Sequence, residues 1–208
     1  MPGRHISICG NVGVGKSTLA RLIAGQTKCQ LFLEEPEYFP FVENALARPR
    51  DWSFINQVDF LLHKFAQQVT IYGTSSPCIQ EQDAYVNYLL WNPVLFNLGY
   101  ISQQEHDLVD QIFTLCNKLV EYSRPQLHIV LTAKPETLLR RIHGRGREYE
   151  TSSKELENLI YQLHEQVSIL ISTIQMPHLI VDCEDLDLTY ASQARDELVN
   201  KITSAMSA

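Results

Sequence analysis

Ile6-Ser7-Ile8-Cys9-Gly10-Asn11-Val12-Gly13-Val14-Gly15-Lys16-Ser17-Thr18 is the stretch that decides how this chain folds. A short apolar run ends in Gly10, and Gly10 to Ser17 match GxxxxGK[ST]. Glycines let successive backbone N–H groups turn toward one phosphate. The helix expected behind them, Thr18 to Ala24, adds its positive N-terminal end. Lys16 is then placed to reach the β- and γ-phosphates, and the Ser17 hydroxyl suits Mg²⁺. A glycine turn that merely joins strand to helix leaves Lys16 and Ser17 unexplained. The stretch therefore predicts a nucleoside triphosphate site made of Gly10, Asn11, Val12, Gly13, Val14, Gly15, Lys16, Ser17 and Thr18. It does not say whether the γ-phosphate goes to water, to a small molecule or nowhere.

Outward from this loop, short β-type runs alternate with long helical patterns. The runs are His5–Cys9, Gln30–Leu33, Cys78–Gln80, Leu127–Thr132 and His178–Asp182, continuous enough in apolar residues to be buried on both faces. From Trp52 to Val69 apolar residues recur every three or four positions. Ser102-Gln103-Gln104-Glu105 reads as a capping box opening a second helix, and Pro135 as the first residue of a third. Ser152-Ser153-Lys154-Glu155 reads as another capping box, and a last helix is expected over Thr189–Lys201. Strands separated by helices mean βαβ units, hence an α/β fold with a parallel sheet covered on both faces.

The chain has 208 residues, which fits one domain spanning 1–208. With 45% hydrophobic and 20% charged residues it is not a mainly disordered chain. A net charge of −7 disfavours a broad nucleic-acid surface. No apolar run approaches the roughly 18 residues of a membrane helix. Cys9, Cys29, Cys78, Cys116 and Cys183 form no metal-ligand spacing and read as reduced thiols of a cytoplasmic protein.

Four further features concern the acceptor. Leu33-Glu34-Glu35-Pro36 closes the second strand, and Glu35, extended by the proline, stands where ligands bind in open α/β sheets, unless it is only an acidic turn. Cys78-Ile79-Gln80-Glu81-Gln82-Asp83 closes the third, offering Glu81 or Asp83 to a metal. Arg140, Arg141, Arg145 and Arg147 crowd a glycine-broken segment, which suits either a lid over phosphates, at about 143–152, or a surface salt-bridge run. Gln57 lies within the Trp52 helix, either exposed or offering an amide to a base.

In their order, GNVGVGKST, LEEP, PRDWSFINQVDFLLHKF, LLRRIHGRGREYE, YQLHEQ and HLIVDCEDLDL resemble the deoxyribonucleoside kinase family, above all its short bacterial deoxyadenosine and deoxyguanosine kinases. The resemblance implies a P-loop kinase fold with a five-stranded parallel sheet in the order 2-3-1-4-5, and a homodimer packed through helices. It implies transfer from ATP, with Mg²⁺, to the 5′-hydroxyl of a deoxyribonucleoside, purine-leaning. Glu35 becomes the general base, and Lys16, Arg141, Arg145 and Arg147 hold the transferring phosphoryl. Ser17 and Glu81 serve the metal, and Gln57, Trp52, Gln82 and Glu150 face the nucleoside, with Glu150 on the sugar 3′-hydroxyl.

Three departures lie on the acceptor side, one of them the stretch Ala84-Tyr85-Val86-Asn87-Tyr88-Leu89, which differs from the family's base-reading segment. The family's Glu/Asp-Arg-Ser reads Glu81-Gln82-Asp83, so a neutral amide stands where an arginine is expected, with Arg48 or Arg50 as conceivable substitutes. Leu46 stands where a tyrosine usually reaches the sugar. The alternatives are a kinase for another hydroxyl compound, or an ATP-binding interaction protein that has lost transfer. A hydrolytic NTPase lacks a residue to orient water.

Overall fold

The computed structural model describes residues 4–35 and 39–207. Five strands, β1 (His5–Gly10), β2 (Gln30–Phe32), β3 (Cys78–Glu81), β4 (Leu127–Thr132) and β5 (His178–Asp182), form one parallel sheet in the order β2-β3-β1-β4-β5. The expected strands all exist, displaced by at most one residue at an end. Every residue of β1 is buried, as a central strand with helices on both faces requires.

Alternation along the strands sends side chains to two different layers. Ile6 and Ile8 of β1 and Ile129 and Leu131 of β4 join one core with α1 (Lys16–Gln26), α6 (Pro135–Arg145) and α9 (Gln193–Ser207). On the other face, Cys9 and Val130 pack against α4 (Ala84–Asn97) and α8 (Leu156–Thr173). A third cluster joins Leu61 and Phe65 of α3 (Pro49–Tyr72) to Val109 and Phe113 of α5 (Gln103–Leu119). Two short helices, α2 (Val42–Ala47) and α7 (Glu148–Thr151), complete the chain order. Among the described residues no helix is long and apolar enough to cross a membrane, and all five cysteines are unpaired.

The local signals meet three outcomes. Ser102 caps α5 with both hydrogen bonds of the capping box in place, and Pro135 opens α6. The Ser152 box does not form: α8 starts after Glu155 with no side-chain cap. Those serines are used elsewhere, because Ser152 closes α7 and the Ser153 hydroxyl donates to Leu46 O at 3.1 Å. The last helix begins at Gln193 rather than Thr189, because the Thr189 amide and hydroxyl both turn back onto Asp187 Oδ1.

Candidate active site

The carboxyl ends of β1, β2 and β3 open onto one cavity of about 820 Å³. Its phosphate end is the loop between β1 and α1. Gly13 has φ +79°, and a Cβ there would lie 2.8 Å from Ile142 Cγ1, so the loop owes its shape to glycine at this point. Asn11 pins the loop to α8 by donating from Nδ2 to Ile160 O at 2.9 Å, and its Oδ1 accepts the Val12 amide at 2.7 Å. Val12 to Thr18 line the cavity; Gly10 and Asn11, also expected at the triphosphate, are buried and do not line it. The Lys16 ammonium curls back onto the carbonyls of Gly10 (3.3 Å) and Asn11 (3.1 Å), and is free to extend toward phosphate oxygens.

Of the two acids offered to a metal, Glu81 is the one that faces the loop. The Ser17 hydroxyl lies 2.9 Å from both of its carboxylate oxygens. Burial, and then the neighbouring Glu34, push the Glu81 carboxyl above its ordinary range, with Lys16 and Lys64 pulling the other way. A hydroxyl and a buried carboxylate side by side, with space for phosphate oxygens, fit the hard-oxygen ligands of Mg²⁺. Asp83 is turned inward: it accepts the amides of Tyr85 and Val86 as the cap of α4, and its Oδ2 meets His128 Nε2 at 3.1 Å. Two residues separate these fates because Gln82 between them has φ +51°, the only positive φ on a non-glycine among the described residues.

Gln82 is itself buried. With its amide nitrogen toward Gly10 O (3.1 Å) and its oxygen toward Trp91 Nε1 (3.0 Å), it ties the floor of the phosphate loop to the acceptor wall. Arg48 and Arg50 do not replace the missing charge: Arg48 lies against Asp51 (3.5 Å) and over the Trp52 ring, and both arginines line a separate shallow pocket.

The acceptor end is walled by α3, α4 and α8. Gln57 is buried, faces the cavity and donates from Nε2 to Asn87 Oδ1 at 3.3 Å. Trp52 is a correction. It stacks on Phe41 (centroids 5.9 Å apart) outside the cavity, which α3 lines with Ser53, Asn56, Gln57 and Phe60. At 3.6 residues per turn, five positions put Trp52 about 140° around the helix from Gln57. Leu46 contributes only apolar wall.

The arginine segment folds as the end of α6, a left-handed turn at Gly146 and the single turn α7. Glu150, buried and facing the cavity, holds it: Arg145 pairs with it through Nε (2.7 Å) and Nη2, and Arg147 Nη1 lies 3.6 Å away. Arg141 lines the cavity while donating to the carbonyls of Cys183 (2.7 Å) and Leu186 (3.3 Å).

The second strand end departs most from expectation. Glu35 does not line the cavity; its carboxylate pairs with Arg21 Nη2 at 2.6 Å on the exposed rim, and Pro36 lies outside the described residues. Glu34 lines the cavity instead. Its amide donates to Glu81 Oε2 (3.2 Å), and its Oε1 lies 3.0 Å from the Lys64 ammonium. Glu34, Lys64, Asn87 and Trp91 are site residues the motifs did not mark, since each acts through a partner far away in sequence.

The whole chain is similar to known kinases of deoxynucleosides. Deoxyadenosine/deoxycytidine kinase of Bacillus subtilis (strain 168) is 27% identical over 202 residues, covering 97% of this chain and 92% of its own. Deoxyguanosine kinase of the same organism is 27% identical over 198 residues, covering 94% and 90%. The solved structure of deoxyadenosine kinase from M. mycoides with bound dCTP superposes with a TM-score of 0.80 at 20% identity, over 96% of this chain and 99% of that one, and so shares the fold. The family profile described as deoxynucleoside kinase matches residues 6–207, and the chain belongs to the deoxynucleoside kinase family.

Proposed function

We propose that this deoxynucleoside kinase transfers the γ-phosphoryl of ATP to the 5′-hydroxyl of a deoxyribonucleoside, with purines preferred. The observation that carries the reading is one cavity with two unlike ends. Lys16, Ser17 and Glu81 stand at a phosphate cradle, and the buried Gln57–Asn87 amide pair stands at the other end. Two side-chain amides offer a donor and an acceptor, which suits the polar edge of a base. Relatives named deoxyguanosine kinase and deoxyadenosine kinase support the purine leaning.

Lys16 leaves the loop carbonyls for the β- and γ-phosphates, and Arg141 lies on the cavity wall beside them. Ser17 and Glu81 would hold Mg²⁺, which would supply positive charge against the phosphates. Arg145 and Arg147 close over the phosphates as a lid when Glu150 exchanges them for the sugar 3′-hydroxyl. Glu35 takes the proton of the attacking hydroxyl. Its pair with Arg21 is exposed on both sides, and such pairs are worth about 0–1 kcal/mol, so releasing the carboxylate into the cavity costs little. Catalysis then rests on positioning and charge stabilisation. We also place the protein in the cytoplasm, as a homodimer. The neighbouring helices α3 and α5 support the dimer, since they expose Leu62, Val69, Leu115 and Leu119.

Labelled ATP offered with Mg²⁺ and a panel of deoxynucleosides tests the reading. A 5′-monophosphate is the expected product, and no product from any nucleoside refutes it. Glu35→Gln should lower kcat by about 10²–10⁴ while ATP still binds, as loss of a general base does. Undiminished turnover in that variant removes Glu35 from the role.

A further inference from the structure

Lys64 is fully buried, and no step of the transfer uses it. It sits on α3, two turns beyond Gln57, and its ammonium donates to the Glu81 carbonyl at 2.5 Å while lying 3.0 Å from Glu34 Oε1. Removing an ammonium from water is costly, and an apolar side chain of similar size usually serves stability as well or better. A lysine here is therefore explained by where it holds its partners. Those partners are the last residue of β3 and the residue just before Glu35, and they are joined to each other by the Glu34 amide on the Glu81 carboxylate, 3.2 Å. One charge thus closes a ring over two strand ends. Beside it stands Gln82, which brings no charge of its own.

Resting on the kinase reading, we infer that Lys64 is the positioning residue of the acceptor side. It clamps the chain after β2 to the end of β3, which holds Glu34 and Glu81 at the cavity and fixes the backbone from which Glu35 swings in from the rim. It does not line the cavity, so it acts only through Glu34 and Glu81.

Three variants test this: Lys64→Met, Lys64→Arg, and Lys64→Met combined with Glu34→Gln. Lys64→Met should lower Tm and reduce kcat about 100-fold, the cost of a misplaced catalytic group, with the KM for ATP unchanged. The double variant buries no unpaired charge and should regain Tm while keeping the kcat deficit. Lys64→Arg should recover part of kcat. If the double variant regains kcat together with Tm, the pair serves folding alone and the inference falls. It falls equally if folded Lys64→Met turns over at the wild-type rate. Hydrogen exchange at the Glu34 amide reads the clamp without activity: protection should drop in Lys64→Met. If the wild-type protein phosphorylates no nucleoside, the kinase reading has failed. The Glu34 amide then still decides the clamp, and unchanged exchange overturns it.

Discussion

Asp83→Asn should cost stability, whereas Glu81→Gln should cost activity, although the two acids stand two residues apart. The Asp83 side chain is wholly buried, where desolvation alone would raise its carboxyl pKa. The hydrogen bond and charge of His128, followed by the Ser7 hydroxyl, more than offset that and bring it from an ordinary 3.8 to about 2. At about 1.4 kcal/mol per pKa unit this drop is worth roughly 2 kcal/mol. The asparagine would keep an oxygen to cap α4, so the variant should lose about 2–3 kcal/mol, the upper end including a weakened bond to His128. Asp83→Ala also gives up the cap and should lose about 1 kcal/mol more. The pH dependence has a definite sign. A depressed folded pKa stabilises above the unfolded value and is lost as pH falls, here between about pH 5 and pH 2. Urea titrations across that range should show the wild-type stability falling with acid and a flatter profile for Asp83→Asn. Glu81→Gln should unfold near the wild-type midpoint at pH 7 and need far more Mg²⁺ for turnover. An Asp83→Asn variant within about 1 kcal/mol of wild type, or one whose defect is repaired by Mg²⁺, refutes the division of labour between the two acids.

Gly13→Ala places a Cβ 2.8 Å from Ile142 Cγ1 and 3.1 Å from Leu138 O at φ +79°. Strain of about 1–3 kcal/mol should appear as ATP affinity lowered roughly 5- to 150-fold in calorimetry, with the sheet intact by circular dichroism. On α5, Leu115→Arg puts a charge on a residue 66% exposed in the single chain. Analytical ultracentrifugation should show the proposed dimer shifted to monomer, and an unchanged sedimentation coefficient would remove α5 from the proposed contact.

Much of the fold was legible because its signals are local. The strand-loop-helix of residues 5–26 is written in contiguous residues, and the Ser102 box closes within four positions. Helix α4 was not legible. It is apolar nearly all round: Val86, Leu90 and Val94 pack into one cluster while Ala84 and Tyr88 meet a second and Leu95 and Phe96 a third, so it shows no period that a one-sided helix would. The Ser152 box failed for the opposite reason: the pattern is local, but its hydroxyls had better partners in space.

The sequence by itself marked the loop after β1 as the place expected to receive phosphate oxygens. Glycine spacing, a lysine and a serine suffice for that, and all lie within eight residues. Tertiary structure decided which acid faces them. Glu81 and Asp83 are chemically alike and close in the chain, and only the left-handed turn at Gln82 sends one to Ser17 and the other to His128. It also decided that Gln57 rather than Trp52 enters the cavity, and that Lys64 meets Glu34 across thirty residues. Helical period and capping are properties of a few neighbouring residues. An ion pair between two strand ends and a distant helix exists only once the sheet has closed, because burial and charge depend on everything packed around them.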